Sequence, residues 1–141
     1  MRRLCLLSLL LILSACAALK PLPKPDPNQA WIGLYHEGKG KLEATRADRK
    51  ALDDWRYFQV WPGNHEVEVR YQFEVQPSNI GGQAKAPFAR TCLLSLEYPK
   101  FAAGERYGLE TGHVGWQPWV RLVDEHGQEV ARSAAGRCGE V

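Results

Sequence analysis

Four histidines have the broadest chemistry in this chain, because imidazole exchanges protons near neutral pH and binds metal ions. They are His36, His65, His113 and His126, and three of them lie in or beside glycine-containing turns. No two have the HxH, HxxxH or HExxH spacing that directs two rings toward one metal ion. The spacing therefore favours hydrogen-bonding roles in turns, and we predict no metal site and no cofactor.

Serine and carboxylate chemistry also find little support. A Gly-x-Ser-x-Gly motif is absent, so no activated serine is indicated. Asp53 and Asp54 are adjacent, and Glu66 and Glu68 lie on one predicted strand face. Alternate residues of a strand face lie near the roughly 5–10 Å separation of a glycosidase carboxylate pair. An envelope carbohydrate-active enzyme therefore stays an open alternative, although we predict a solvated face and no enzyme.

Tryptophans are the residues best suited to binding without catalysis, since aromatic rings stack on the apolar faces of sugars and dominate protein interfaces. The five are Trp31, Trp55, Trp61, Trp116 and Trp119. Trp116 and Trp119 flank Pro118 near a loop-to-strand junction, where a ring can be exposed. We predict ligand binding by Trp116, Trp119, Trp61 and His65, with glycans (peptidoglycan included) or a protein partner as ligand. Core packing is the alternative for the tryptophans.

The first 15 residues have the organisation of an export signal. Met1-Arg2-Arg3 is cationic, and Leu4 to Leu13 is an apolar run of ten residues interrupted by Cys5 and Ser8. A permanent membrane helix needs about 20 apolar residues. The shorter run fits the hydrophobic region of a cleaved signal peptide.

The signal ends in Leu13-Ser14-Ala15-Cys16, which resembles the lipobox of bacterial lipoproteins. The resemblance implies cleavage before Cys16 and acylation of its thiol and its new amine. Each buried methylene contributes about 0.8 kcal/mol, so several acyl chains hold a protein on a membrane. Ala17 stands where lipoproteins of the inner membrane commonly have Asp, which implies the outer membrane. An ordinary cleaved signal is the alternative.

Residues 16–28 are predicted to be the lipidated cysteine and a proline-rich linker. Proline occurs at every second position from Pro21 to Pro27. Proline restricts φ and donates no hydrogen bond, which favours an extended tether of about 3.1 Å per residue. A partner-binding PxxP ligand is the alternative.

The charge balance argues against nucleic acid as a partner. The chain has 18 basic and 16 acidic residues, and removal of Arg2 and Arg3 with the signal leaves 16 of each. Nucleic-acid binding relies on an excess of Lys and Arg to neutralise phosphates.

Two cysteines remain after export, because Cys5 leaves with the signal and Cys16 carries lipid. In an exported domain the leftover pair, Cys92 and Cys138, points to a disulfide. It would tie the C-terminal tail to a central strand and stabilise the fold by about 4 kcal/mol in the chain-entropy model. A redox-active or metal-binding pair is the alternative, but neither cysteine lies in a CxxC motif.

The stretch from Tyr57 to Val75 indicates the fold class. Apolar residues occupy every odd position from Val67 to Val75 and polar residues every even position from Glu66 to Gln76, which is typical of a strand with one buried face. Trp61-Pro62-Gly63-Asn64 supplies a turn, so the sequence predicts a hairpin with Tyr57–Val60. Further strands are predicted at 31–35, 41–45, 90–98, 105–111, 119–123 and 128–131. Residues 29–141 are therefore predicted to be an all-β domain, a single antiparallel β-sandwich or small barrel of about seven strands.

The same hairpin segment, WPGNHEVEVRY from Trp61 to Tyr71, is similar to the PGxHxVxVxY hairpin of PEGA-like domains and of small envelope lipoproteins. The FxxGxxYxLE stretch from Phe101 to Glu110 fits the same pattern. The resemblance implies a compact β-sandwich that binds or scaffolds at the cell surface without catalysis, with His65 bracing the turn.

These features predict a lipid-anchored outer-membrane lipoprotein that binds or scaffolds other envelope components, with its domain facing the periplasm. The possible partners are an envelope protein or a glycan. An inhibitor or accessory subunit of one dedicated periplasmic partner, docked through a strand edge or an aromatic patch, is the second hypothesis.

Overall fold

The computed structural model describes residues 20–79 and 86–139. The predicted signal, residues 1–15, and the predicted lipidation site Cys16 lie outside the described residues. Ten strands are present in the described part: β1 Ala30–His36, β2 Gly40–Ala47, β3 Lys50–Ala51, β4 Tyr57–Val60, β5 Gly63–Val75, β6 Phe88–Phe101, β7 Arg106–Val114, β8 Gln117–Val123, β9 Glu129–Ser133 and β10 Gly136–Cys138. One short 3₁₀ helix covers Pro77–Asn79.

The strands form two five-stranded sheets. Sheet A has the order β4-β1-β7-β8-β9, and sheet B has the order β10-β6-β5-β2-β3. Neighbouring strands are antiparallel except for β1 and β7, which run parallel. The predicted all-β sandwich is confirmed, and seven of the ten strands are five residues or longer. Across residues 20–79 and 86–139, no helix has the length and apolar character that crossing a membrane requires.

The long pair β5 and β6 forms the centre of sheet B. Their register runs from Gly63 opposite Phe101 to Val75 opposite Phe88. The predicted alternation in β5 is confirmed, since Val67, Val69, Tyr71, Phe73 and Val75 are all buried. Full burial of an aliphatic side chain stabilises the fold by about 1.5–3 kcal/mol, so this row is a large part of the core.

The predicted hairpin between Tyr57–Val60 and the following strand is wrong. Strand β4 pairs with β1 in sheet A, with Phe58 opposite Ile32, whereas β5 pairs with β2 and β6 in sheet B. Trp61 and Pro62 therefore carry the chain from one sheet to the other. Alternation specifies which face of a strand is buried and not which strand lies beside it. A corner between two sheets satisfies the pattern as well as a hairpin does.

The core lies between the two sheets. The inner face of sheet A contributes fully buried apolar side chains from four strands, among them Ile32, Phe58, Leu109 and Leu122. They belong to one cluster with the inward residues of β5 and β6. Because successive side chains of a strand point to opposite faces, the intervening residues of sheet A lie on the outer surface of the molecule.

The predicted disulfide between Cys92 and Cys138 is confirmed. The two residues lie directly opposite one another on β6 and β10, with their Cα atoms 4.0 Å apart. The bond fastens the last described strand to the edge of sheet B. Cys92 is completely buried, so the bond is an extension of the core.

Candidate functional site

The outer surface of sheet A carries a group of aromatic side chains that we call the aromatic face. It consists of Tyr57 on β4, Trp31 and Tyr35 on β1, and Trp119 on β8. The register places Tyr35 beside Glu110 and Trp119 beside Gly112, both of which belong to β7. Strand pairing thus brings together rings from three separate segments of the chain on one side of the sheet.

The rings of Trp31 and Tyr57 form the first part of this face. Their centroids are 4.2 Å apart and their planes differ by 8°. Offset stacking of two rings is favourable by about 0.5–1.5 kcal/mol beyond the burial of their area. The pair therefore holds two rings in one orientation without help from a ligand.

Tyr35 lies flat over two glycines. A Cβ atom added to Gly33 would be 3.1 Å from the Tyr35 hydroxyl oxygen, and one added to Gly108 would be 3.3 Å from the ring. The missing side chains leave room for the ring against the backbone, and Tyr35 is still 61% exposed. One face of the phenol ring is thus supported by the sheet and the other is available to a ligand.

Trp119 is held in a similar way over Gly112. A Cβ atom at Gly112 would be 2.4 Å from Cζ2 of Trp119, a separation that real Cβ atoms do not adopt. The guanidinium groups of Arg121 and Arg132 lie 5.5 and 5.4 Å from the indole centroid. At such distances cation–π attraction contributes about 0.5–1 kcal/mol at an exposed site. Gly112 next to the indole and two guanidinium groups over its ring fix Trp119 in place.

The charges around Trp119 are paired. Arg121 Nε donates to Glu110 Oε2 over 2.6 Å, and Arg132 Nη2 donates to Glu129 Oε2 over 2.8 Å. The hydrogen bond from Arg132 holds the pKa of the Glu129 carboxyl below its ordinary value. Both carboxylates therefore serve as hydrogen-bond acceptors for the guanidinium groups beside Trp119.

A surface depression of about 230 Å³ separates Tyr35 from Trp119. Glu37, Glu110 and Thr111 are among the residues that line it, although the Thr111 side chain is on the core face of β7. Thr111 is fully buried, and its hydroxyl has no hydrogen-bond partner among the described residues. Two flat apolar rings on either side of carboxylate acceptors can hold a ring-shaped ligand that carries hydroxyl groups.

The predicted binding residues do not all lie on this face. Trp119 does. Trp116 lies in the β7–β8 turn, where it contacts Phe88, with ring centroids 5.5 Å apart, and Arg90, at 5.3 Å. Trp61 lies in the corner between β4 and β5 and is 60% exposed.

His65 contacts a carboxylate in the neighbouring turn. Its Nδ1 atom is 2.6 Å from Asp48 Oδ2, and the backbone N–H of Glu66 donates to Asp48 Oδ1 over 3.0 Å. Asp48 and Arg49 both have positive φ, 48° and 66°, so the β2–β3 turn has the left-handed backbone that Asp tolerates well. His65 therefore braces this turn. Residues 20–79 and 86–139 contain no cluster of three His, Cys, Asp or Glu side chains that could hold a metal ion.

Sequence reasoning missed Tyr35 and Tyr57. The signal for Tyr35 was present, because Trp31, Gly33 and Tyr35 alternate with Ile32 and Leu34. A strand that buries Ile and Leu must turn the alternate aromatic positions outward. No comparable signal marks Tyr57, whose position depends on the pairing of β4 with β1.

Comparisons with protein-family models, with curated proteins and with solved structures gave no match to this chain.

Proposed function

We propose that this chain is a lipid-anchored, non-catalytic lipoprotein of the bacterial outer membrane that binds an envelope glycan on the aromatic face. The observation that carries the proposal is the placement of Tyr35 against Gly33 and Gly108 and of Trp119 against Gly112, on the same side of sheet A. Tyr35, which is 61% exposed, presents an apolar ring with a negative π face. Sugar rings offer the matching surface, a patch of C–H groups flanked by hydroxyls.

The polar residues around the rings support a glycan over a purely apolar ligand. Glu37 and Glu110 line the depression between Tyr35 and Trp119, and carboxylate oxygens accept hydrogen bonds from hydroxyls. Binding sites of this type combine apolar walls with a few polar groups that orient the ligand.

The ion pair between Arg121 and Glu110 supports binding without catalysis. A glycosidase needs one protonated carboxyl that donates to the leaving oxygen. Glu110 is held as an acceptor instead, since Arg121 Nε donates to its Oε2 over 2.6 Å and Arg121 Nη2 lies 2.6 Å from the same oxygen.

The export signal and the LSAC segment at 13–16 support the anchor. Acylation of Cys16 would keep the domain in the envelope, where glycan polymers are abundant. The accessory-subunit hypothesis stays a prediction, and capture of one protein by crosslinking in intact cells is the result it requires.

The test is binding to purified peptidoglycan sacculi and to soluble chitooligosaccharides, measured by sedimentation and by calorimetry. We expect Tyr35→Ala and Trp119→Ala each to weaken binding about tenfold, which corresponds to about 1.4 kcal/mol. Gly112→Ala should also weaken it, because the added methyl group displaces the indole.

The control is Trp61→Ala, which removes a ring as exposed as Tyr35, 60% against 61%, from the corner between β4 and β5. It should bind as the unmodified protein does. The proposal is contradicted if Trp119→Ala and Tyr35→Ala bind sacculi and chitooligosaccharides at full affinity. It is also contradicted if the unmodified protein binds neither glycan.

A further inference from the structure

Residues 20–28, which we call the strap, contact Arg56 just before β4, Gln59 within β4 and Gly104 in the β6–β7 turn. The backbone oxygen of Lys20 accepts a hydrogen bond from Arg56 Nη1 over 2.5 Å. Six residues later, the Asp26 N–H donates to the side-chain oxygen of Gln59 over 3.1 Å. These two contacts lie at opposite ends of the strap. The proline-rich segment is thus attached to the domain at both ends.

The strap runs in the same direction as β4. Lys20 lies beside Arg56, immediately before β4, and Asp26 lies beside Gln59 within it. A turn follows, in which the Gln29 N–H donates to Asp26 O over 3.1 Å, and β1 begins at Ala30. The chain that precedes Lys20 therefore leaves the domain beside Arg56, and not beside the first residue of β1.

Little chain separates this exit from the predicted lipid. Four peptide links join Cys16 to Lys20. A fully extended chain spans at most about 3.6 Å per residue, so the Cα atoms of Cys16 and Lys20 are within about 14 Å of each other. An acylated Cys16 lies at the bilayer surface, and the Arg56 corner must lie close to it.

The side chains at this corner suit a lipid headgroup region. Leu22 is 53% exposed and Trp55 is 48% exposed. Tryptophan is enriched at membrane–water interfaces, and lysine can lay its stem on apolar surface while its ammonium stays in water. Lys20 and Lys24 flank Leu22 in the strap. The charge of Asp54 is neutralised by Arg56, with Nη2 and Oδ2 2.7 Å apart.

We propose that the strap seats the β3–β4 corner, with Leu22 and Trp55, against the membrane, so that the domain has one fixed orientation on the lipid surface. The inference depends on the proposed acylation of Cys16. The aromatic face begins next to this corner at Tyr57 and extends to Trp119 on β8, three strands further across sheet A. The glycan-binding surface then stands upright from the membrane.

The test uses nitroxide labels at Leu22→Cys and Glu125→Cys in the acylated protein, reconstituted in phosphatidylethanolamine–phosphatidylglycerol vesicles. We expect a narrow distance distribution between the labels. Arg56→Lys combined with Gln59→Ala, which removes both attachments, should broaden it. Arg137→Lys combined with Gln76→Ala makes the same substitutions elsewhere and should leave it narrow.

The label at Leu22 also reports contact with lipid. In vesicles it should become more accessible to oxygen and less accessible to a water-soluble nickel chelate than in the unacylated Cys16→Ser protein. The inference is overturned if the label-to-label distance distribution is broad in the acylated protein that keeps Arg56 and Gln59. It is also overturned if the label at Leu22 remains fully accessible to the nickel chelate in vesicles. Mass spectrometry that finds no lipid on Cys16 would refute the anchor as well, whereas glycan binding is measured independently.

Discussion

At the scale of the residue, the aromatic face depends on glycines as much as on rings. Gly33 and Gly108 make room for Tyr35, and Gly112 makes room for Trp119. Trp119 was predictable as a binding candidate because tryptophan in a short strand beside a turn is often exposed. Its partner Gly112 was not, since only the pairing of β7 with β8 brings the two together. Residue type indicates which side chain can bind, and strand register decides what supports it.

The contact between Asp48 and His65 predicts a dependence of stability on pH. Hydrogen bonds from His65 and from the Glu66 N–H hold the pKa of the Asp48 carboxyl below its ordinary value of about 4. The unfolded chain then binds the proton more readily than the folded chain does. The contribution of Asp48 to the free energy of unfolding is complete above the ordinary pKa and is lost as the pH falls through the folded pKa.

We therefore expect Asp48→Asn to reduce the free energy of unfolding at pH 7 by about 0.5 kcal/mol, a small value because the Asp48 carboxyl is half-exposed. The difference should shrink as the pH falls below about 4 and vanish below the folded pKa of Asp48. Asn tolerates the positive φ at this position, so backbone strain does not contribute. Urea unfolding across this pH range is the measurement, with Glu125→Gln as the control. If the difference in unfolding free energy between Asp48→Asn and the unmodified protein stayed constant with pH, the role assigned to the Asp48 carboxyl would be wrong.

At the scale of the element, strands were predictable and their neighbours were not. Alternation located β1, β5 and β8, because one face of each strand is buried against a continuous core. The same pattern did not show that β4 pairs with β1 and not with β5, nor that β1 pairs in parallel with β7. Parallel partners are far apart in the chain, and no local turn signals their association. The aromatic face is built across this parallel pair, so it could not be assembled from the sequence alone.

The disulfide acts at the same scale, because it holds β10 in place. Strand β10 has only three residues and pairs only with β6. Replacement of both Cys92 and Cys138 by Ser should lower the free energy of unfolding by up to about 4 kcal/mol, the chain-entropy value for a loop of this length. Urea unfolding measures the loss, and amide exchange should show that protection of residues 136–138 is lost first. Retention of that protection would mean that strand pairing alone holds β10.

At the scale of the molecule, the chain itself joins the two sheets at both sides. Two residues link β9 at the edge of sheet A to β10 at the edge of sheet B. Five residues link β3 of sheet B to β4 of sheet A on the other side. The sandwich prediction succeeded because repeated short alternating segments have few other ways to bury their apolar faces. The location of the molecule is a separate matter, which rests on the N-terminal segment.

The proposed lipid anchor gives a prediction for the whole protein. Cys16→Ser should release the domain from the membrane fraction into the soluble periplasmic fraction, because acyl chains supply the membrane affinity. Fractionation with immunoblotting is the measurement, and Cys5→Ser is the matched control, which should leave the protein in the membrane fraction. Equal distribution of the Cys16→Ser protein and the unmodified protein would exclude a lipid anchor at this residue.

The prolines of the strap have a further consequence for contacts between copies of the chain. A bare extended segment can join the outermost strand of a second copy, and such sheet extension leads to aggregation. Pro21, Pro23, Pro25 and Pro27 have no backbone N–H, so the strap lacks a hydrogen-bond donor at every second residue of such a ladder. Two copies can therefore meet at their straps without extending a sheet.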